Sequence, residues 1–97
     1  MTRRAFVEVI QEQLNLKGIS APTEAVEDVF LATIDVMSAK LAEGEDIQIK
    51  GFGSFRVVDR AERIGRHPGT GEMIRIPFSR TVRFTPSLPL KDAVNVL

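Results

Sequence analysis

The chain has 97 residues, with thirteen basic and thirteen acidic side chains, one histidine and no cysteine. This is the length of one small domain, residues 1–97, and no disulfide or thiolate metal site can staple it, so oligomerisation is the natural remedy for a thin core. The N-terminal residues mix charge with apolar side chains too early for a signal peptide, and no apolar run is long enough to span a bilayer; the expectation is a soluble intracellular protein with no membrane partner. The zero net charge conceals a division. Residues 1–49 carry four basic and nine acidic side chains, a net of −5, while residues 50–97 carry nine basic and four acidic, a net of +5. That asymmetry points to a polyanion bound by the second half, as against two solvated faces that differ in sign by chance.

In chain order, Thr2 is placed to cap a helix on which Phe6, Val9, Ile10 and Leu14 recur at spacings of three and four. After Pro22, Thr23 reads as the N-cap of a long helix running to Ala42, with Glu24 and Glu27 near its positive end. Val26, Val29, Phe30, Leu31, Ile34, Val36, Met37 and Leu41 cover more than one stripe of that helix, which calls for burial on two sides and so for a partner subunit. Gly44 closes it. Ile47 and Ile49 then alternate with polar neighbours as a half-buried strand, and Gly51-Phe52-Gly53 makes a tight reversal with Phe52 anchored in the core. Phe55 and Val57 face inward on a second strand. Ile74, Ile76, Phe78, Val82 and Phe84 mark one face of a third, with Arg75, Ser79, Thr81 and Arg83 on the other. Arg80 interrupts the apolar series and must sit where that face opens to water or a ligand. Ser87 caps a short C-terminal helix bearing Leu90, Ala93, Val94 and Leu97. The fold class is therefore α+β: a helical part at 1–43, a three-stranded antiparallel sheet with an extended hairpin arm at 45–84, and a helix at 87–97.

The arm is the informative segment. Arginines stand at 56, 60, 63, 66, 75, 80 and 83, around a His67-Pro68-Gly69-Thr70-Gly71 turn. A hairpin studded with guanidinium groups has few reasons to exist except to hold an anion. At strand spacing Arg60 to His67 reaches about 25 Å, and so thin a ribbon is expected to be mobile at its tip until bound. Pro68-Gly69 reads locally as a type II turn pair, a role that outweighs the alternative of an apolar wedge entering between base pairs. His67 has no second ligand or nucleophile near it and reads as exposed filler.

Three motifs together, GFGSF, then R-A-x-R-x-G-R-x-P-x-T-G from Arg60 to Gly71, then F-x-P-x-x-x-L-K from Phe84 to Lys91, resemble the HU/IHF family of bacterial nucleoid DNA-bending proteins, and the likeness covers essentially the whole chain. The resemblance implies an intertwined dimer, homodimer or heterodimer with a paralogue, that binds double-stranded DNA largely without sequence preference and bends or compacts it from the minor groove. It implies a cytoplasmic, nucleoid-associated protein without cofactor. It reverses the reading of Pro68, which becomes the intercalating residue. Arm contacts fall on Arg60, Arg63 and Arg66, with saddle or flank contacts on Arg3, Arg56, Arg75, Arg80, Arg83 and Lys91. The dimer core falls on Phe30, Ile34, Met37, Phe52, Phe55 and Phe84.

This chain departs from the family in its near-neutral balance. Asp59 and Glu62 stand where a lysine or neutral residue is usual, and Thr85 and Leu88 replace common basic positions. Fewer phosphate contacts release fewer counterions, so weaker binding and a shorter footprint are expected. The rival reading is the same dimer turned to a protein partner through its acidic helices. An enzyme is not expected: Glu8 and Glu12, one helical turn apart, read as a solvated face, and no phosphate loop, metal cluster or activated nucleophile is recognisable.

Overall fold

The computed structural model describes residues 1–95, and its backbone groups into two compact units, Met1–Ala39 and Lys40–Leu97. Helix α1 (Arg3–Leu16) begins where expected, with the Thr2 hydroxyl accepting from the Ala5 amide at 3.2 Å. Helix α2 (Thr23–Ala42) starts one residue earlier than a Thr23 cap implies, because the Pro22 carbonyl already accepts from Val26 at 3.1 Å. Both helices end in one way. Gly18 (φ 75°) and Gly44 (φ 91°) take the left-handed conformation, and the amides of Ile19 and Glu45 turn back to the carbonyls of Leu14 and Lys40.

Within the first unit, Phe6 packs on Phe30 with ring centroids 5.3 Å apart, and Val7 and Val26 are buried. They are the only buried apolar side chains among the described residues. Val29, Ile34 and Val36 on α2 are 67%, 45% and 59% exposed, so the apolar surface that the sequence pattern assigns to burial is open here. Its polar members make no outward demand. Thr33 and Ser38 donate their hydroxyl protons to the carbonyls of Val29 and Ile34, at 2.8 Å each.

The second unit carries five strands: β1 (Ile47–Ile49), β2 (Gly53–Arg60), β3 (Arg63–Arg66), β4 (Met73–Ile76) and β5 (Ser79–Pro86). β1, β2 and β5 form an antiparallel sheet in that order, and β3 and β4 form the separate ribbon of the arm. Sequence periodicity alone suggests two unbroken strands running from sheet to tip. They are interrupted at Ala61-Glu62 and Pro77-Phe78, where Pro77 has no amide to give to a ladder. Beyond the short β1, the Asp46 carboxylate accepts from the Val57 amide at 2.9 Å and stands in for the missing strand.

The two glycines around Phe52 do different work. Gly51 (φ 81°) supplies the left-handed residue of the β1–β2 turn, closed by the Phe52 amide donating to Ile49 at 3.0 Å. Gly53 is required by proximity, since a Cβ there would lie 2.6 Å from the Thr85 carbonyl oxygen and 2.7 Å from the Phe84 ring. Phe52, expected in a dimer core, is open in the single copy. It is 44% exposed and leans on Phe84, with centroids 5.4 Å apart, while Phe55 meets the same ring at 4.8 Å. Helix α3 (Leu88–Val94) is capped by Ser87, whose hydroxyl accepts from Leu90 at 3.4 Å. The Leu97 position assigned to this helix lies outside the described residues.

Replacing Gly53 by alanine is expected to cost about 1–3 kcal/mol of unfolding free energy, the usual range for overpacking against backbone. A urea unfolding curve checks this, and an unchanged midpoint contradicts the close-approach account.

Candidate nucleic-acid interface

The register of the sheet sorts its side chains into two unlike faces. On one, the rungs are Phe55↔Phe84, Val57↔Val82 and Asp59↔Arg80. On the other they are Ser54↔Thr85, Arg56↔Arg83, Val58↔Thr81 and Arg60↔Ser79. The alternation of period two in both strands dictates this once Phe55 and Phe84 are opposite each other. Arg56 and Arg83 therefore face each other across one rung, where β-carbons stand about 5 Å apart and like charges repel. Neither has a carboxylate within salt-bridge distance among the described residues, and Arg60, four residues along β2 from Arg56, has none either. All three are exposed. Three guanidinium groups and several hydroxyls share this face with no acid, which is an arrangement that an anion with several oxygens relieves.

The apolar face ends in an ion pair. Arg80 donates from Nε to Asp59 Oδ1 at 2.6 Å and from Nη2 to Oδ2 at 3.3 Å, the two-pronged geometry that suits guanidinium to carboxylate. The side chain that breaks the apolar series does open to water, about half exposed, but a carboxylate already holds it. The hydrogen bond from Arg80 holds the Asp59 carboxyl below its ordinary range, and the same bond raises Arg80. Arg75, on β4, is likewise paired with Glu62 in the break between β2 and β3. Arg3 approaches Glu27 at 3.9 Å. Lys91 is exposed on α3 with no acidic partner among the described residues.

On the arm, the rungs Arg63↔Ile76 and Arg66↔Met73 put the two arginines on opposite faces of the ribbon. Arg66 shares its face with Arg75, Ile64 and Met73. The tip is not the type II Pro-Gly turn expected locally. Gly69 is not left-handed; Gly71 is, at φ 75°, and its amide donates to the His67 carbonyl at 2.8 Å. His67 is more than filler, because its Nδ1 accepts from the Gly69 amide at 3.0 Å and braces the loop on both sides of Pro68. Pro68 stands exposed at the apex. Of the residues expected at a subunit interface, Phe30, Met37 and Phe55 are half-buried or exposed only in part, whereas Ile34, Phe52 and Phe84 are exposed at 45%, 44% and 40%.

A family model described as bacterial DNA-binding protein matches residues 1–95. The chain belongs to the HU/IHF family. It is similar to the integration host factor subunit beta of Edwardsiella ictaluri, 44% identical over 85 residues that cover 88% of this chain and 90% of the relative. It is 40% identical to the DNA-binding protein HU-1 of Halalkalibacterium halodurans, over 98% of this chain and 100% of that one. Among solved structures, an Anabaena HU–DNA cocrystal superposes with a TM-score of 0.82 at 25% identity, covering 98% of each chain. Proteins of the HU/IHF family are architectural DNA-binding proteins of the bacterial nucleoid, not enzymes. No helix is long and apolar enough to cross a membrane among the described residues.

Sequence reasoning did not find the acidic partners of Arg75 and Arg80, nor the Asp46 and His67 backbone contacts. Because the folded state depresses Asp59, the pair's contribution is present above the ordinary aspartate pKa of about 3.9 and is lost as pH falls through the lower folded value. NMR titration of the Asp59 carboxyl is expected to show this depression, and Arg80→Ala is expected to return it towards the ordinary value. A titration unaltered by Arg80→Ala contradicts the pairing.

Proposed function

We propose that two copies of this chain, or one copy and a paralogue, join through the apolar surfaces of α2 and the sheet. The resulting dimer binds duplex DNA largely without sequence preference. HU and IHF are standard examples of minor-groove architectural binders, and family membership carries that mode to this chain. The observation that carries the residue assignment is the carboxylate-free face on which Arg56 and Arg83 share a rung beside Arg60. Duplex phosphates supply the anion that this face lacks, and each contact releases condensed counterions.

Arg63 and Arg66, on opposite faces of the ribbon, are suited to reach phosphates on either side of a single groove, and the family likeness assigns further contacts to Lys91 and, on the first unit, to Arg3. Pro68 carries no charge and is held at the apex by the His67 and Gly71 hydrogen bonds. A stiff apolar ring in that place is suited to enter a base step and unstack it, at a cost of a few kcal/mol recovered by wrapping. What selectivity exists comes from groove width and ease of bending, not from base edges. Neither the relatives nor the guanidinium face favours a protein-interaction module.

Three measurements test this reading. Arg56→Ala with Arg83→Ala should weaken binding of unrelated duplexes alike and reduce the slope of log affinity against log salt by about 0.9 for each phosphate that is no longer neutralised; an unchanged slope removes these residues from the interface. Pro68→Ala should lower the bend angle, read by energy transfer across the duplex, more than it lowers affinity; an equal bend removes the wedge. The melting temperature should rise with protein concentration, as mass action requires of a dimer, and a concentration-independent value contradicts assembly through the open apolar surfaces.

A further inference from the structure

Two carboxylates stand at the root of the arm, and each holds an arginine. Asp59 pairs with Arg80 on the last-but-one rung of the sheet, immediately before the strands break. Glu62 lies inside the break and pairs with Arg75 on β4. The two pairs thus flank the point where the sheet gives way to the ribbon. We propose that Asp59 and Glu62 act as internal substitutes for phosphate, occupying Arg80 and Arg75 at the arm root and withholding both from a nucleic-acid backbone that the other arginines contact.

The chemistry matches on both sides. A carboxylate and a phosphate offer a guanidinium the same two-oxygen edge, so either satisfies the fork of Arg80. Both pairs are open to solvent. The Arg80 and Asp59 side chains are 48% and 51% exposed, and those of Arg75 and Glu62 are 80% and 47% exposed. Exposed pairs of this kind contribute little to folding, so breaking them leaves the chain folded while their presence decides which cations are free. Free and held arginines are also separated by place. Arg56, Arg60 and Arg83 have no acidic partner among the described residues and sit on one face of the sheet, whereas Arg80 is anchored on the other with its guanidinium near Gly44, 3.9 Å from where a Cβ would lie. The near-neutral charge of the chain is therefore not spread evenly over its cations. It silences two specific arginines at the root and leaves those of the sheet face and of β3 available.

This inference rests on the DNA-binding reading above. The test is binding of a short duplex, by fluorescence anisotropy, at 50 and 200 mM salt, using the full chain and single substitutions. With a slope of about −0.9 per phosphate, each arginine recruited should raise the ratio of the two affinities about 3.5-fold, and two per dimer about 12-fold. Asp59→Asn is expected to give that rise in the wild-type background and to lose it in the Arg80→Ala background. Glu62→Gln is expected to behave in the same way with respect to Arg75→Ala, which provides a second, independent pair. Glu72→Gln removes a charge from the same arm without freeing an arginine and is expected to leave the ratio unchanged. An equal rise with Arg80 or Arg75 absent, or an equal rise with Glu72→Gln, reduces the effect to net charge and overturns the proposal, as does the absence of any rise. If the wild-type chain binds no duplex at 50 mM salt, the DNA-binding reading itself fails, and that result is distinct from binding without the interaction.

Discussion

Two arginines held opposite each other on one rung of a sheet, with no carboxylate in reach among the described residues, set the terms for the rest of this molecule. A fold gains nothing from such a pair: like charges a β-strand spacing apart repel, and either position would be quieter as threonine, the residue that occupies neighbouring rungs. The ladder fixes Arg56 against Arg83 because Phe55 must meet Phe84 on the opposite face, so the apolar packing of one side imposes the cationic array on the other. An external polyanion converts that unfavourable arrangement into a binding site. In the proposed reading, the arm arginines and Lys91 extend the same principle along a nucleic-acid backbone.

A second constraint concerns what the chain cannot bury alone. With only Val7 and Val26 fully covered among the described apolar side chains, and with α2 and the Phe52–Phe84 cluster open, the hydrophobic term available to one copy is small. In the proposed dimer, association through these surfaces gives the chain a core and also doubles the number of arms. Stability and function are then coupled. In that proposed arrangement, the surface that lacks a core also brings two cationic ribbons to one duplex.

Much of the fold was legible in the sequence because its signals are local. Thr2 and Ser87 cap their helices as their positions imply, Gly44 ends α2, and the even–odd alternation from Ile74 to Phe84 separates Arg83 from Phe84. What escaped depends on register or on backbone hydrogen bonding at a distance. Asp59 and Arg80 are 21 residues apart, and nothing in either neighbourhood marks them as partners until the strands are aligned. The turn at the tip is misleading in sequence because Pro-Gly is a strong local signal, whereas the left-handed residue is Gly71, selected by closure onto His67. Pro77 could have announced the break in the arm, since a residue without an amide cannot sustain a ladder. Phe52 belongs inside on its hydrophobicity alone, and in a single copy it stands 44% exposed on the open apolar surface.

The central claim is that the carboxylate-free guanidinium face is where nucleic-acid phosphates dock. The most direct test follows the Nε–Hε resonances of the arginines by NMR as a short duplex is added at low salt. The account predicts that Arg56, Arg60 and Arg83 shift at the first additions and slow their exchange with water. Perturbation confined to the acidic residues of α1 and α2, with those three signals unmoved at saturation, would contradict it.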